Sequence, residues 1–143
     1  MIKFIKENKA FAIIFLVAAI IRFIPAFDYQ FSFDELSALS RTIYSNWYDL
    51  VLYGARIDAH PVLIQCFLYS LVKVFGYSEF WIKLPFILMS LGAVIYAYLF
   101  SLKWFGKPSA LLSAAVFSFS FIFLYYSPLA RPYASGLFFT TAQ

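Results

Sequence analysis

The sequence predicts an all-α integral membrane protein, a bundle of transmembrane helices with amphipathic juxtamembrane helices in its first outer loop. Three observations carry this. Of 143 residues, 64% are apolar or aromatic and 13% charged, with a mean hydropathy of +0.82, whereas soluble domains run at about 45–50% apolar and about 25% charged. Several runs are free of charge over the roughly 20 helical residues that an apolar layer of about 30 Å requires. The basic residues outside the loop gather in short clusters between those runs, as they do where they set membrane orientation. A water-soluble globule, a disordered tail and a nucleic-acid-binding domain are excluded by this composition, although the net charge is +4. No period of 20–50 residues suggests a solenoid. The single cysteine, Cys66, rules out an internal disulfide, and there is no Cys/His grouping of structural-zinc type.

The first run, 10–27, is interrupted only by Arg22 and preceded by Lys3, Lys6 and Lys9. A cleaved signal needs small residues after its apolar core; Arg22, Phe23, Ile24 and Pro25 stand there instead, so the run reads as an uncleaved first span. Arg22 lies close enough to the outer end to snorkel. The runs 84–102 and 108–130 predict spans over about 82–102 and 108–127, and a further run from about 133 opens another, truncated span. The run after Pro61 reaches Lys73 too soon to cross. Lys3, Lys6 and Lys9 place the N-terminus in the cytoplasm, and Lys103 and Lys107 form the next cytoplasmic cluster. An even number of crossings between them leaves 28–80 wholly outside, with 61–75 along the membrane surface and Lys73 and Lys83 on the less favoured side. Residues 127–133 return to that same outer face.

Five of the seven acidic residues (Asp28, Asp34, Glu35, Asp49, Asp58) and the only histidine fall within 28–60. Ser32-Phe33-Asp34-Glu35 has the S-x-x-E form of a capping box, with Phe31 and Leu36 in the positions of a hydrophobic staple. A helix over about 33–52 follows: Leu36, Leu39, Ile43, Trp47 and Leu50 share a stripe about 80° wide, and Asp34, Ala38, Arg41 and Ser45 lie opposite. An Asp-Glu pair at a helix start is often there only to favour the positive end of the dipole. Here, however, the cap needs only Glu35. Asp34 is a second carboxylate, and Arg41 returns to within about 20° of it, so that both can address one ligand.

Asp58-Ala59-His60-Pro61 is a second polar point, in which Asp58 and His60 project to one side of an extended segment. As a metal site this pair is a weak signal, two ligands of mixed type against the alternative of a solvated histidine. The third point is Arg131, between uncharged runs and bracketed by Pro128 and Pro132.

Taken in order, these features are familiar: an arginine in the first span, the Asp-Glu pair, DAHPVLIQCFLYSLVKVFGYSEF, IKLPFILMSLGAVIYAYLFSLKWFG, and YYSPLARPYA. The series resembles the N-terminal region of polyprenyl-phosphate-sugar-dependent membrane glycosyltransferases of the GT-C type, in the protein mannosyltransferase and lipid A aminoarabinose transferase superfamily. The resemblance implies the N-terminal fragment of a longer GT-C bundle, inactive alone, in a bacterial inner or plasma membrane. It would move a sugar from a lipid-phosphate carrier to a lipid, protein or polysaccharide acceptor on the extracytoplasmic face. Asp34 matches the family's catalytic aspartate and Glu35 its partner. His60 matches the basic residue of the H-P-P motif, with Val62 at its second proline. Ala59 stands where some relatives carry an acid, and Ser37 where the family's basic residue follows the aspartate. Arg131 and Tyr133 match the a-R-x-Y segment.

The chemistry fits these residues. A hydroxyl acceptor needs a carboxylate to take its proton, the expected role of Asp34. A departing phosphate needs cations, for which His60, Arg131 and Arg41 are suited, alongside Tyr133. Single displacement would invert the anomeric centre. Phe67, Tyr69, Phe75 and Tyr77 are candidates to form a groove for the polyprenyl tail, or else to pack the core. No cofactor is firmly implied beyond the lipid-linked donor, with a divalent metal at Asp58 and His60 at most; membrane lipids are the surroundings, and no nucleic-acid partner is expected. A multi-span transporter and a non-catalytic membrane subunit are the alternative readings.

Overall fold

The structure, a computed structural model, describes residues 8–28, 30–56 and 60–143, with 25–28 described by backbone alone. Among these residues every regular element is helical: α1 (Lys9–Asp28), α2 (Phe33–Leu39), a 3₁₀ turn (Ser40–Ile43), α3 (Trp47–Asp49), a π-helical turn (Leu50–Ala55), α4 (Val62–Phe75), α5 (Glu79–Phe119), α6 (Phe121–Tyr126) and α7 (Pro132–Thr141).

Helix α5 is two arms rather than one rod. Gly106 sits at φ 82°, ψ 178°, a region open essentially to glycine alone, and Pro108 follows at the head of the second arm. On a straight helix residues 90 and 118 would stand about 42 Å apart at about 1.5 Å per residue. Yet the Arg22 guanidinium bonds both Ser90 and the Ser118 carbonyl, and the Ser101 and Ser113 hydroxyls meet at 2.7 Å. The chain therefore doubles back at Gly106. Glu79–Phe119 is the described helix long and apolar enough to cross a membrane, and the reversal divides it between its arms. The second arm stops at Phe119, short of the 127 expected, because Ser120 turns extended (φ −62°, ψ 133°) before α6 begins.

Helix α1 packs along α5. Phe11 stacks on Tyr98 at 3.9 Å, and the Tyr98 hydroxyl donates to Asn8 Oδ1 at 2.8 Å. Helix α7 lies on α5 so closely at Gly92 that a Cβ there would stand 2.5 Å from the Phe138 ring. A separate core joins the loop helices to this bundle: Ala38, Leu39, Ile64, Leu68, Ile82 and Phe86 surround Ala130 and Ala134. At about 1.5–3 kcal/mol for each large apolar side chain fully buried, this cluster is what holds residues 127–134 against α2.

The single helix expected over 33–52 is not formed. Tyr44 is extended (φ −60°, ψ 147°), and Asn46 starts a new turn by accepting from the Asp49 amide at 2.9 Å while its amide donates to Asp49 Oδ2 at 2.8 Å. The expected stripe is split accordingly: Leu39 and Leu50 are buried, whereas Leu36, Ile43 and Trp47 are 52%, 75% and 50% exposed. Of the staple, Phe31 packs on the core while Leu36 does not. The 61–75 helix is present as Val62–Phe75 and ends at Gly76, whose φ is 65°.

Candidate active site

The site begins at the cap of α2. Ser32 Oγ accepts from the Glu35 amide at 3.3 Å, and Glu35 Oε2 accepts from the Ser32 amide at 2.9 Å, the reciprocal pair of a capping box. Its other oxygen, Oε1, accepts from the backbone N–H of Ala130 at 2.8 Å. Glu35 is fully buried. One carboxylate thus satisfies two backbone donors, that of Ala130 buried, and ties the start of α2 to the turn before α7.

That tie sets the neighbours of both residues. Arg131, 3% exposed, directs a guanidinium N–H onto Asp34 Oδ1 in a tight ion pair, while Asp34 remains 43% exposed. Tyr133 lies beside Asp34 and against Tyr126, ring centroids 4.4 Å apart. Asp34, Glu35, Arg131 and Tyr133 are therefore brought together at one point. The carboxylate keeps an open side, and the cation is held from behind by packing. An ion pair with one exposed partner contributes about 0–1 kcal/mol, so the core and the Glu35 tie, rather than this pair, position the turn.

The remaining candidates are Arg41, His60 and Asp58. Arg41 stands in the 3₁₀ turn that follows Leu39, and its guanidinium donates to Ser37 Oγ at 3.4 Å. His60 is half-buried at the bend before α4. Asp58 lies outside the described residues, and among those described no group of three His, Cys, Asp or Glu side chains is placed to hold a metal ion.

A cavity of about 580 Å³ runs between α4 and α7, lined by Trp47, Leu63, Phe67, Met89 and Phe139 among others. Pro61 and Pro132, the chain neighbours of His60 and Arg131, also line it. Of the four aromatics expected in such a groove, only Phe67 is there. Tyr69 donates to the Ser45 carbonyl at 3.0 Å, Phe75 stacks on Trp81, and Tyr77 hydrogen-bonds Thr42.

Two cations gain roles that the sequence did not suggest. Arg22 does not snorkel: it is 1% exposed and donates to Ser90 Oγ at 2.8 Å and to the carbonyls of Phe117, Ser118 and Ala18 at 2.7, 3.0 and 3.3 Å. Lys83, 2% exposed, donates to the Gln30 carbonyl at 3.2 Å and lies over the Phe31 ring. An arginine inside an apolar run was the available signal for the first; nothing in the sequence marked the second.

A family model described as dolichyl-phosphate-mannose-protein mannosyltransferase matches residues 59–142, more than half of the chain. His60, Arg131 and Tyr133 fall inside the matched stretch, and Asp34, Glu35 and Arg41 precede it. No curated protein and no solved structure matches the chain.

Proposed function

The chain belongs to the dolichyl-phosphate-mannose-protein mannosyltransferase family, membrane glycosyltransferases of the GT-C type that take a lipid-linked sugar donor, and from that premise we propose an extracytoplasmic transfer in which Asp34 is the base. A polyprenyl-phosphate sugar is the donor, a hydroxyl group the acceptor, and the anomeric centre inverts. The observation that carries this reading is the ion pair of Asp34 and Arg131, whose side chains meet across 97 positions of chain.

In the resting site Arg131 holds the Asp34 carboxylate beside Tyr133. An arriving phosphate competes for the Arg131 fork, which can grip two of its oxygens. Asp34 is thereby released toward the acceptor hydroxyl and takes its proton as the oxygen attacks the anomeric carbon. The bond from that carbon to the phosphate oxygen breaks, and the pair of electrons leaves with the lipid phosphate. Arg131, joined by His60, offsets the charge that develops there. The apolar cavity between α4 and α7 receives the prenyl tail. A divalent ion at His60 and Asp58 belongs to the same proposal, as an additional cation for the phosphate.

The test uses the full-length protein in proteoliposomes with a polyprenyl-phosphate sugar. General-base catalysis contributes about 10²–10⁴ in rate, so Asp34→Asn is expected to lower transfer at least about 100-fold with insertion unchanged. Transfer within a few-fold of the parent would remove Asp34 from the role.

A further inference from the structure

We propose that Arg22 is a positioning residue for this transfer: it holds the end of α5 so that the 127–133 turn keeps Arg131 and Tyr133 on Asp34. The inference rests on the reading of that pair as the site.

The geometry is specific. In a continuous helix the carbonyls of Phe117 and Ser118 would accept from residues 121 and 122. The extended backbone of Ser120 breaks that ladder, freeing two carbonyls, that of Ser118 buried and that of Phe117 partly so, that must be satisfied. Arg22, from the first helix, takes both. Its Nε simultaneously binds Ser90 on the opposite arm of α5, and a second N–H of Nη1 returns to its own helix at Ala18. One planar fork therefore sets three directions: that of α1, that of the first arm, and that at which α6 departs from the second. The helix end also favours a cation there through its partial negative charge.

What departs from that end is the site. Helix α6 runs only from Phe121 to Tyr126 before residues 127–131 deliver the Ala130 amide to Glu35 and the Arg131 guanidinium to Asp34. Ser90, the partner of Arg22, shares a cavity of about 390 Å³ with Ser127, Tyr126 and Tyr133. That cavity is thus lined both by a partner of Arg22 and by Tyr133, the neighbour of Asp34. All four groups that Arg22 binds are neutral oxygens. A lysine at this place supplies the charge but not the fork.

The experiment compares full-length Arg22→Met, Arg22→Lys and Ser90→Ala in proteoliposomes. Misplacement of a reacting group by about 1 Å can cost about 100-fold; Arg22→Met is expected to lose about that much transfer, and Arg22→Lys to recover only part of it. A second readout is independent of activity: nitroxides at the exposed Leu36 and Tyr125 report the distance across the junction of α2 and α6. It is expected to be narrowly distributed in the parent and broad in Arg22→Met. Should that variant fail to insert, Ser90→Ala, which removes one acceptor, is expected to raise the donor KM about tenfold with kcat less affected. An unbroadened distance, or donor kinetics unchanged in Ser90→Ala and Arg22→Lys, would overturn the proposal. Asp34→Asn, run alongside, is expected to abolish transfer without broadening the distance. If it retains transfer, the site reading falls, while the distance still decides the role of Arg22.

Discussion

Replacing Glu35 by glutamine keeps the length of the side chain and alters one of its two acceptor atoms. Oε1 and Oε2 each receive a backbone N–H, from Ala130 at 2.8 Å and Ser32 at 2.9 Å, in a fully buried position. An amide has one acceptor oxygen; its NH₂ must then face whichever donor the oxygen does not serve. A buried N–H left without an acceptor costs about 1–3 kcal/mol, and a hydrogen bond to a charged group contributes about 1.5–3 kcal/mol. The two figures describe one loss, so Glu35→Gln is expected to weaken the docking of the turn by about 2–3 kcal/mol, roughly 30- to 150-fold in its opening equilibrium. Hydrogen exchange reads this directly at the Ala130 amide in the full-length protein, where protection should fall by that factor. Protection at 130 unchanged would show that Glu35 does not tie the turn. A loss of kcat with protection intact would instead assign Glu35 to proton transfer.

Gly106→Ala forces a side chain into a backbone region reserved for glycine, so it is expected to cost about 1–3 kcal/mol in the unfolding midpoint of the detergent-solubilised protein, with the loss concentrated in contacts between the α5 arms. Cys66 lines the large apolar cavity, and burial pushes its thiol above the usual value. The thiolate therefore forms at higher pH than in an ordinary cysteine, and the rise of maleimide labelling with pH should be displaced upward relative to a free thiol. A long-chain polyprenyl phosphate should slow the labelling by filling the cavity; equal rates with and without the lipid would empty the cavity of that role.

The parts of this structure legible in the sequence are those whose partners are close in the chain. The capping box of Ser32 and Glu35 is complete within four residues, and Gly106 with Pro108 marks the reversal of α5 inside a short basic connection. The second bond of Glu35 was not legible, because its donor is a backbone N–H at Ala130 that any residue but proline would supply. Asn46 and Asp49 carried the signal that breaks the expected long helix, yet the apolar periodicity of Leu36, Leu39, Ile43, Trp47 and Leu50 outweighed it. Arg22 was misread for a related reason: its acceptors are carbonyls released by a break at Ser120, where neither glycine nor proline announces one. For the site itself, the pairing of Arg131 with an acid of the first outer loop follows from the order of motifs, whereas the bond of Arg41 to Ser37, one turn back, has no sequence signal of its own.

The meeting of Asp34 and Arg131 is tested most directly by cysteines in their place in the full-length protein, on a Cys66→Ser background. Both are expected to react with an impermeant maleimide from the outer side and to be joined by a short bifunctional thiol reagent. Reaction from opposite sides of the membrane, with no cross-link, would contradict the convergence of the two side chains on one site.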